Sequence, residues 1–371
     1  MDEQRQAMLV LNGLRHVGPI TVDRLMEAFG GDAVEILRAG KKSLLAVEGV
    51  GPRMAGALSG WRRHFDLKGE RDLLERNGAS FVIRGDPGYP PLLGRIDDPP
   101  VGLYRKGELV PGSRCIAIVG TRKPTLYGLK LAGAFAGRLA RAGFCIVSGL
   151  ARGIDAAAHV GALDAGGSTV AVLGCGLDIV YPPEHADLYE RIACEGAVFS
   201  EFPFGRRADR QTFPMRNRLV SGMCEAVVVV ESAASGGSMI TARLAGEQGR
   251  QVLALPGRVD QVSSAGCHQL IREGATLVTG AHEILEELGG VGQGMLDLQL
   301  EVEGESRRVD RQLSGGEDAA YGVLDAGELL RLEEVAGRAG MPVQEAASAL
   351  MMLELKRLVG KRADGRFERR L

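Results

Sequence analysis

No apolar run in the 371-residue chain approaches the length of a membrane span, and the opening MDEQRQAMLVLNGL lacks the basic start of a secretory leader. A cytoplasmic protein without a membrane span is therefore expected. The six cysteines (115, 145, 175, 194, 224, 267) form no CxxC pair, which leaves zinc knuckles and redox motifs without a framework. Several sit inside apolar runs, as buried free thiols do in a reducing cytosol. None of the six histidines (16, 64, 159, 185, 268, 282) lies in a metal-spaced pair, and no Ser or Cys has a nucleophile-elbow context. Neither a metal site nor a catalytic set is expected, and His159, one turn after Asp155, reads as a helix-face residue. The Walker lysine pattern is missing, as is a GxGxxG turn with an acidic residue one strand later. An ordinary nucleotide triphosphatase or dinucleotide dehydrogenase is thereby disfavoured, and no cofactor is expected. Neither charge sign dominates: the net charge is −2, so a nucleic-acid site must come from locally clustered Arg and Lys.

Glycine, by contrast, is abundant, with 53 residues, as in α/β proteins with many strand-to-helix turns. Residues 115–155 carry the clearest pattern. Cys115–Val119 is an apolar run of strand length, followed at once by Gly120-Thr121-Arg122 and a helical pattern from about Leu126 to Ala142. Phe144–Val147 repeats the strand, and Ser148-Gly149-Leu150-Ala151-Arg152-Gly153-Ile154-Asp155 opens another helix. Strand, polar turn and helix, twice over, predict a parallel sheet with crossover helices. Such sheets bind ligands at the carboxyl ends of their strands, where helix N-termini present free N–H groups. Both turns set an arginine and a hydroxyl beside glycine, which suits phosphate; a tight turn alone also calls for glycine.

Around this unit, residues 1–78 read as a helical domain. Gly49-Val50-Gly51-Pro52, and more weakly Gly18-Pro19, match the turn of a helix-hairpin-helix module, although a plain packing domain accounts for them as well. Residues 79–114 mix Pro, Gly and short apolar pieces and are expected to add an edge strand. Further strands are expected at Thr169–Leu173, Ala197–Ser200, Ala226–Glu231, Gln251–Leu255 and Thr276–Val278, with helices between them to about residue 288. Residues 289–318 have linker composition. Within 319–371, helices at Ala319–Leu324, Leu329–Ala339 and Pro342–Leu358, then a basic hairpin turning at Asp364-Gly365, describe a small winged helix-turn-helix.

The densest positive charge lies at Arg206, Arg207, Arg210, Arg216 and Arg218, with Phe213 among them and Asp209 opposing. Arginine forks grip phosphate while an aromatic face stacks on an unpaired base; pairing with acids such as Glu201 and Glu225 is the structural alternative. Phe213 precedes a helix start, where an apolar residue also serves as a staple. Ser235-Gly236-Gly237-Ser238-Met239-Ile240-Thr241 follows a strand and combines close backbone approach with hydroxyl donors, or caps a helix.

IVGTRKPTLYG, VSGLARGIDAAAH, FPMRNRLVSG, SGGSMITARLAGEQGR, ALPG and GCHQLIREGA, in this order, resemble the DNA-processing protein A family (DprA, also called Smf) over roughly residues 79–288. The resemblance implies a Rossmann-like, mostly parallel sheet flanked by a sterile-alpha-motif-like helical domain and a winged helix. It implies a non-enzymatic homodimer that binds single-stranded DNA and delivers it to the RecA recombinase in natural transformation. The contacts it implies are Gly120, Thr121, Arg122, Ser148, Gly149, Arg152, Arg210, Phe213, Arg216, Asn217, Gly237, Ser238 and Thr241. Two rivals remain. One is a nucleotide phosphoribohydrolase with a lysine-decarboxylase-like Rossmann fold, for which Glu247 follows the glycine turn. The other is a winged-helix transcription factor with a ligand-sensing domain.

Overall fold

The computed structural model describes residues 1–112, 114–289, 313–324, 328–362 and 364–369. Short runs rich in Val, Ile and Ala become strands, the central ones buried on both faces, as parallel strands between two helical layers require. In chain order they are β1 (Ala79–Ile83), β2 (Gly102–Lys106), β3 (Cys115–Val119), β4 (Cys145–Ser148), β5 (Thr169–Leu173), β6 (Ala197–Ser200), β7 (Ala226–Val229), β8 (Gln251–Ala254) and β9 (Thr276–Leu277). They form one sheet in the order β1-β2-β6-β5-β4-β3-β7-β8-β9. Strands β3 to β9 are parallel, whereas β1 and β2 join the β6 edge antiparallel. The segment before the main sheet thus supplies two strands where one was expected.

Helices α1 (Glu3–Gly13), α2 (Pro19–Ala28), α3 (Ala33–Arg38), α4 (Lys41–Leu45), α5 (Pro52–Ser59) and α6 (Leu67–Arg76) precede the sheet. Within it run α7 (Leu126–Arg141), α8 (Ile154–Asp164), α9 (Ala186–Glu195), α10 (Thr212–Gly222), α11 (Gly237–Glu247), α12 (Ala265–Arg272) and α13 (Ala281–Glu287). Alternation along β3 sorts the two layers. Ile116 and Ile118 pack with Phe135, Leu139, Ala158 and Ile284 on one face. Ala117 and Val119 pack with Leu219, Val220, Ala242 and Cys267 on the other. Each fully buried Val or Ile here contributes roughly 1.5–3 kcal/mol. The N-terminal helices are not a separate core: Leu9, Leu25 and Leu58 share one cluster with Tyr104, Ala171, Tyr189 and Phe204 of the sheet region. Asn12 Nδ2 donates to the Glu201 carbonyl (2.9 Å), and Phe204 N–H donates to Glu70 (3.0 Å), across the same seam.

The C-terminal residues do have their own core, built from Ala320, Tyr321, Leu330, Val335, Leu350, Leu353, Val359 and Phe367. Helices Gly315–Gly322, Leu332–Ala339 and Val343–Leu355 precede an antiparallel hairpin of β10 (Val359–Lys361) and β11 (Phe367–Arg369). The first helix starts before the expected Ala319, because Ser314 and Glu317 form a reciprocal capping box inside the stretch read as linker. Residues 290–312 of that linker lie outside the described residues. Five of the six cysteines are buried and Cys194 is exposed. No helix among the described residues is long and apolar enough to cross a membrane.

Candidate nucleic-acid interface

From β3 the chain winds outward through β4, β5 and β6, then crosses back to β7 on the other side of β3. The carboxyl ends of β3 and β7 therefore flank the switch point, where an open α/β sheet leaves a crevice. A groove of about 440 Å³ occupies it, lined among others by Thr121, Arg122, Lys123, Phe213, Arg216 and Thr241. A larger groove, about 730 Å³, lies between α11 and α12, where Arg243, Arg250 and Glu273 are among the lining residues.

What distinguishes this crevice is which helix starts are already occupied. At α7, Glu231 accepts from the Thr125 N–H and hydroxyl, and Glu368 accepts from the Leu126 N–H at 2.7 Å. In the turn before α8, Asp155 accepts from Gly149 N–H (3.1 Å) and Ala151 N–H (3.4 Å). Asp209 accepts from Gln211 N–H (2.8 Å) and Thr212 N–H (2.9 Å) at the start of α10. α8 and α11 begin at glycine N-caps, Gly153 and Gly236, without a side-chain cap, and at α11 Gly236, Gly237, Ser238 and Thr241 line the groove. An uncapped helix start with its positive dipole end suits an anion.

Arg216 lines the same groove and is 5% exposed. Its Nη1 donates to the Val172 carbonyl at 3.2 Å, while its Nε has no hydrogen-bond partner. The guanidinium lies so close to the β4–α8 turn that a Cβ on Gly149 would meet Nη1 at 1.2 Å. Gly149 is thus required by close approach, and Gly153 by its φ of +81°. Burial pushes the Asp155 carboxyl up and the Arg216 guanidinium down, and their mutual attraction opposes both shifts. Above them the exposed Arg122 places its guanidinium carbon 5.0 Å from the centroid of the Phe213 ring. Phe213 is half-buried, with the exposed Tyr181 at a centroid distance of 5.7 Å. A buried cation, an exposed cation, an open helix start and an aromatic rim suit a phosphate and an unstacked base together.

The expected residues thus divide. Gly120, Thr121, Arg122, Phe213, Arg216, Asn217, Gly237, Ser238 and Thr241 line the groove. Gly149 and Arg152 line a small adjoining recess. Ser148 does not reach the groove with its hydroxyl, which is fully buried and donates to the Ile118 carbonyl at 2.7 Å, tying β4 to β3. Arg152 pairs with Glu184 on the surface, so part of its charge is already met. Arg210 is exposed but outside the groove. The arginine cluster splits likewise. Arg206 pairs with Asp209, and Arg218 turns inward to Glu201 and Asp98, as the alternative reading of the cluster allowed. Arg216 and Arg218 are two residues apart on α10, about 200° around the helix, which sends them to opposite sides. The sequence reading passed over Lys123, Asp155 and Tyr181. The first two stood inside quoted motifs, whereas Tyr181 arrives from a distant loop without local signal.

His159 lies on the inward face of α8 and is fully buried. The Thr169 hydroxyl donates to Ile146 and so accepts from His159 Nδ1 (2.7 Å), leaving Nε2 unprotonated. Burial lowers its pKa from 6.5 to about 3. The unfolded chain takes up this proton near pH 6.5 and the folded one only near 3, so stability falls as pH drops through that window. The expected loss is about 2 kcal/mol at about pH 5. Urea midpoints of wild type and His159→Gln measured across this range should converge as pH falls.

A family model for DNA recombination-mediator protein A matches residues 80–289, more than half of the chain. The chain belongs to this family. It is similar to Protein Smf of Synechocystis sp., with 32% identity over 411 aligned positions and all of both chains covered. Family relatives of known structure share the fold. DNA processing protein A from Streptococcus pneumoniae superposes with a TM-score of 0.65 at 32% identity, covering 77% of this chain and 99% of that one. The Helicobacter pylori protein of the same name, described for its single-stranded DNA binding mode, superposes with a TM-score of 0.50 at 30% identity. That match covers 57% of this chain and 95% of the other.

Proposed function

We propose that the chain binds single-stranded DNA in the switch-point groove without reading its sequence, protects it, and loads the RecA recombinase in natural transformation. The observation that carries this reading is that one groove is lined both by the uncapped start of α11 and by the buried Arg216, whose Nε has no hydrogen-bond partner. A relative described for its single-stranded DNA binding mode supports it. We take the protein to act as a homodimer and not as an enzyme. Glu247, the residue a phosphoribohydrolase would need, closes α11 at its far end, roughly 15 Å along the helix from Gly237. There it is exposed and pairs with Arg243. The three C-terminal helices and hairpin fit a winged helix-turn-helix, with the helical domain of residues 1–78 and the sheet domain of 79–288 before it.

Retention of labelled oligo-dT across a salt series tests the reading. Phe213→Ala should lose about 1–3 kcal/mol of affinity with the salt slope unchanged, because stacking and not phosphate contact is removed. Arg122→Ala should lose about 1.5–3 kcal/mol and flatten the slope. If Phe213→Ala only lowers the melting temperature, the ring belongs to the scaffold and the groove does not stack bases. Equal retention of blunt duplex and single strand would overturn the function itself. Co-sedimentation with RecA tests the partner, and sedimentation as a monomer at micromolar concentration would exclude the dimer.

A further inference from the structure

The contact at the start of α7 is made by a different part of the chain. Glu368, on β11 of the C-terminal hairpin, is fully buried, yet its side chain leaves its own module. It accepts from Leu126 N–H at 2.7 Å and from Tyr127 N–H at 3.4 Å. Beside it Arg362 Nη2 donates to the Lys123 carbonyl at 3.2 Å, on the loop that lines the groove. The charge of Arg338 also acts at longer range on Asp260, in the loop after β8, beside the closer Arg258. These contacts are polar, and the apolar core of the module shares no residue with the cores of the sheet. A polar seam between two separate cores is built to open. The N-terminal helices, fused into one core with the sheet, have no such seam.

The carboxylate at α7 is also expensive to hold. Burial pushes the Glu368 carboxyl up, and the nearby Glu231 pushes it further, against the N–H bonds and Arg362 that favour its charge. Its Oε2 has no hydrogen-bond partner and stands 3.9 Å from Arg362 Nη1. The first strand-to-helix turn of the sheet, β3–α7, is therefore closed by an acidic group from outside the sheet domain.

We propose that the C-terminal module is an autoinhibitory clamp: Glu368 takes the place of a nucleic-acid phosphate at the start of α7, and undocking opens the β3–α7 turn to the bound strand. This rests on the single-strand reading of the groove. With the clamp closed, the strand reaches only the α11 start, Arg122 and Arg216. With it open, the Leu126 and Tyr127 N–H groups and the freed Arg362 extend the path by further phosphate contacts. Apparent affinity is reduced by the fraction of molecules that are open.

The test compares full-length wild type, Glu368→Lys and Glu333→Lys. The last makes the same charge change at an exposed position of the same module, so it controls for added positive charge. Hydrogen exchange over residues 123–130 reports docking without DNA, and oligo-dT anisotropy reports binding. Glu368→Lys should speed exchange at Leu126 and Tyr127 and tighten oligo-dT binding on the order of five- to ten-fold beyond Glu333→Lys. Arg362→Ala, which leaves Glu368 in place, should speed exchange to a lesser degree. Unchanged exchange in Glu368→Lys would overturn the clamp. So would faster exchange with affinity no higher than that of Glu333→Lys, which leaves the groove's function standing. Absence of oligo-dT binding by every variant, wild type included, would overturn the function and the inhibition with it.

Discussion

Arg216→Ala is expected to cost about 3–5 kcal/mol of folding stability and to remove most single-strand binding. Both losses have one cause. Arg216 is the buried cation whose charge acts on the buried Asp155, and it lines the groove with an Nε that has no hydrogen-bond partner. Removing it leaves Asp155 with two N–H donors but no nearby buried cation. The double variant Arg216→Ala with Asp155→Asn separates the two roles. Neutralising the orphaned carboxylate should restore much of the stability, read as the urea midpoint. It should leave oligo-dT affinity low, because the donor to phosphate is still missing. If the double variant also regains DNA binding, Arg216 belongs to the scaffold and the phosphate lies elsewhere.

Arg218→Ala, two residues on, is expected to cost as much stability, about 3–5 kcal/mol, yet to leave the affinity of the folded protein and its salt slope unchanged. Arg218 and Glu201 have side chains 8% and 9% exposed, and Arg218 also reaches the Asp98 carbonyl at 2.8 Å. Burial raises the Glu201 carboxyl and Arg218 holds it down. Without Arg218 the folded-state pKa of Glu201 rises further above its unfolded value. The folded variant then binds a proton that the unfolded chain does not, so its deficit is greatest at neutral pH and shrinks as pH falls. Denaturation of both proteins from pH 5 to 8 checks the sign, and a constant deficit would contradict the buried pair. A loss of salt slope in Arg218→Ala would return this arginine to the DNA path.

These two arginines also mark how far the sequence could be read. Both stood in one cluster of positive charge, and periodicity sets them on opposite sides of a helix without saying which side faces the groove. That assignment needs the sheet, because β5 supplies the Val172 carbonyl to one and the residue after β6 supplies Glu201 to the other. Ser148 shows the same limit. A hydroxyl beside a glycine turn reads as a phosphate donor, yet one position earlier than the crest it becomes a tie between two strands. The early start of the helix at Gly315 was legible in principle, since Ser314 and Glu317 have capping-box spacing.

The alternation of buried strands, polar turns and amphipathic helices by itself determined a parallel sheet, the order of its turns and the family, because these depend on local patterning and short motifs. Tertiary structure alone decided which helix starts were free. Glu231 and Glu368 together close the α7 start and Asp209 the α10 start by accepting from backbone N–H groups, and for Glu231 and Glu368 the partners lie more than a hundred positions away. A carboxylate and a phosphate compete for the same N–H groups, and only proximity in the folded chain tells which anion a given turn receives.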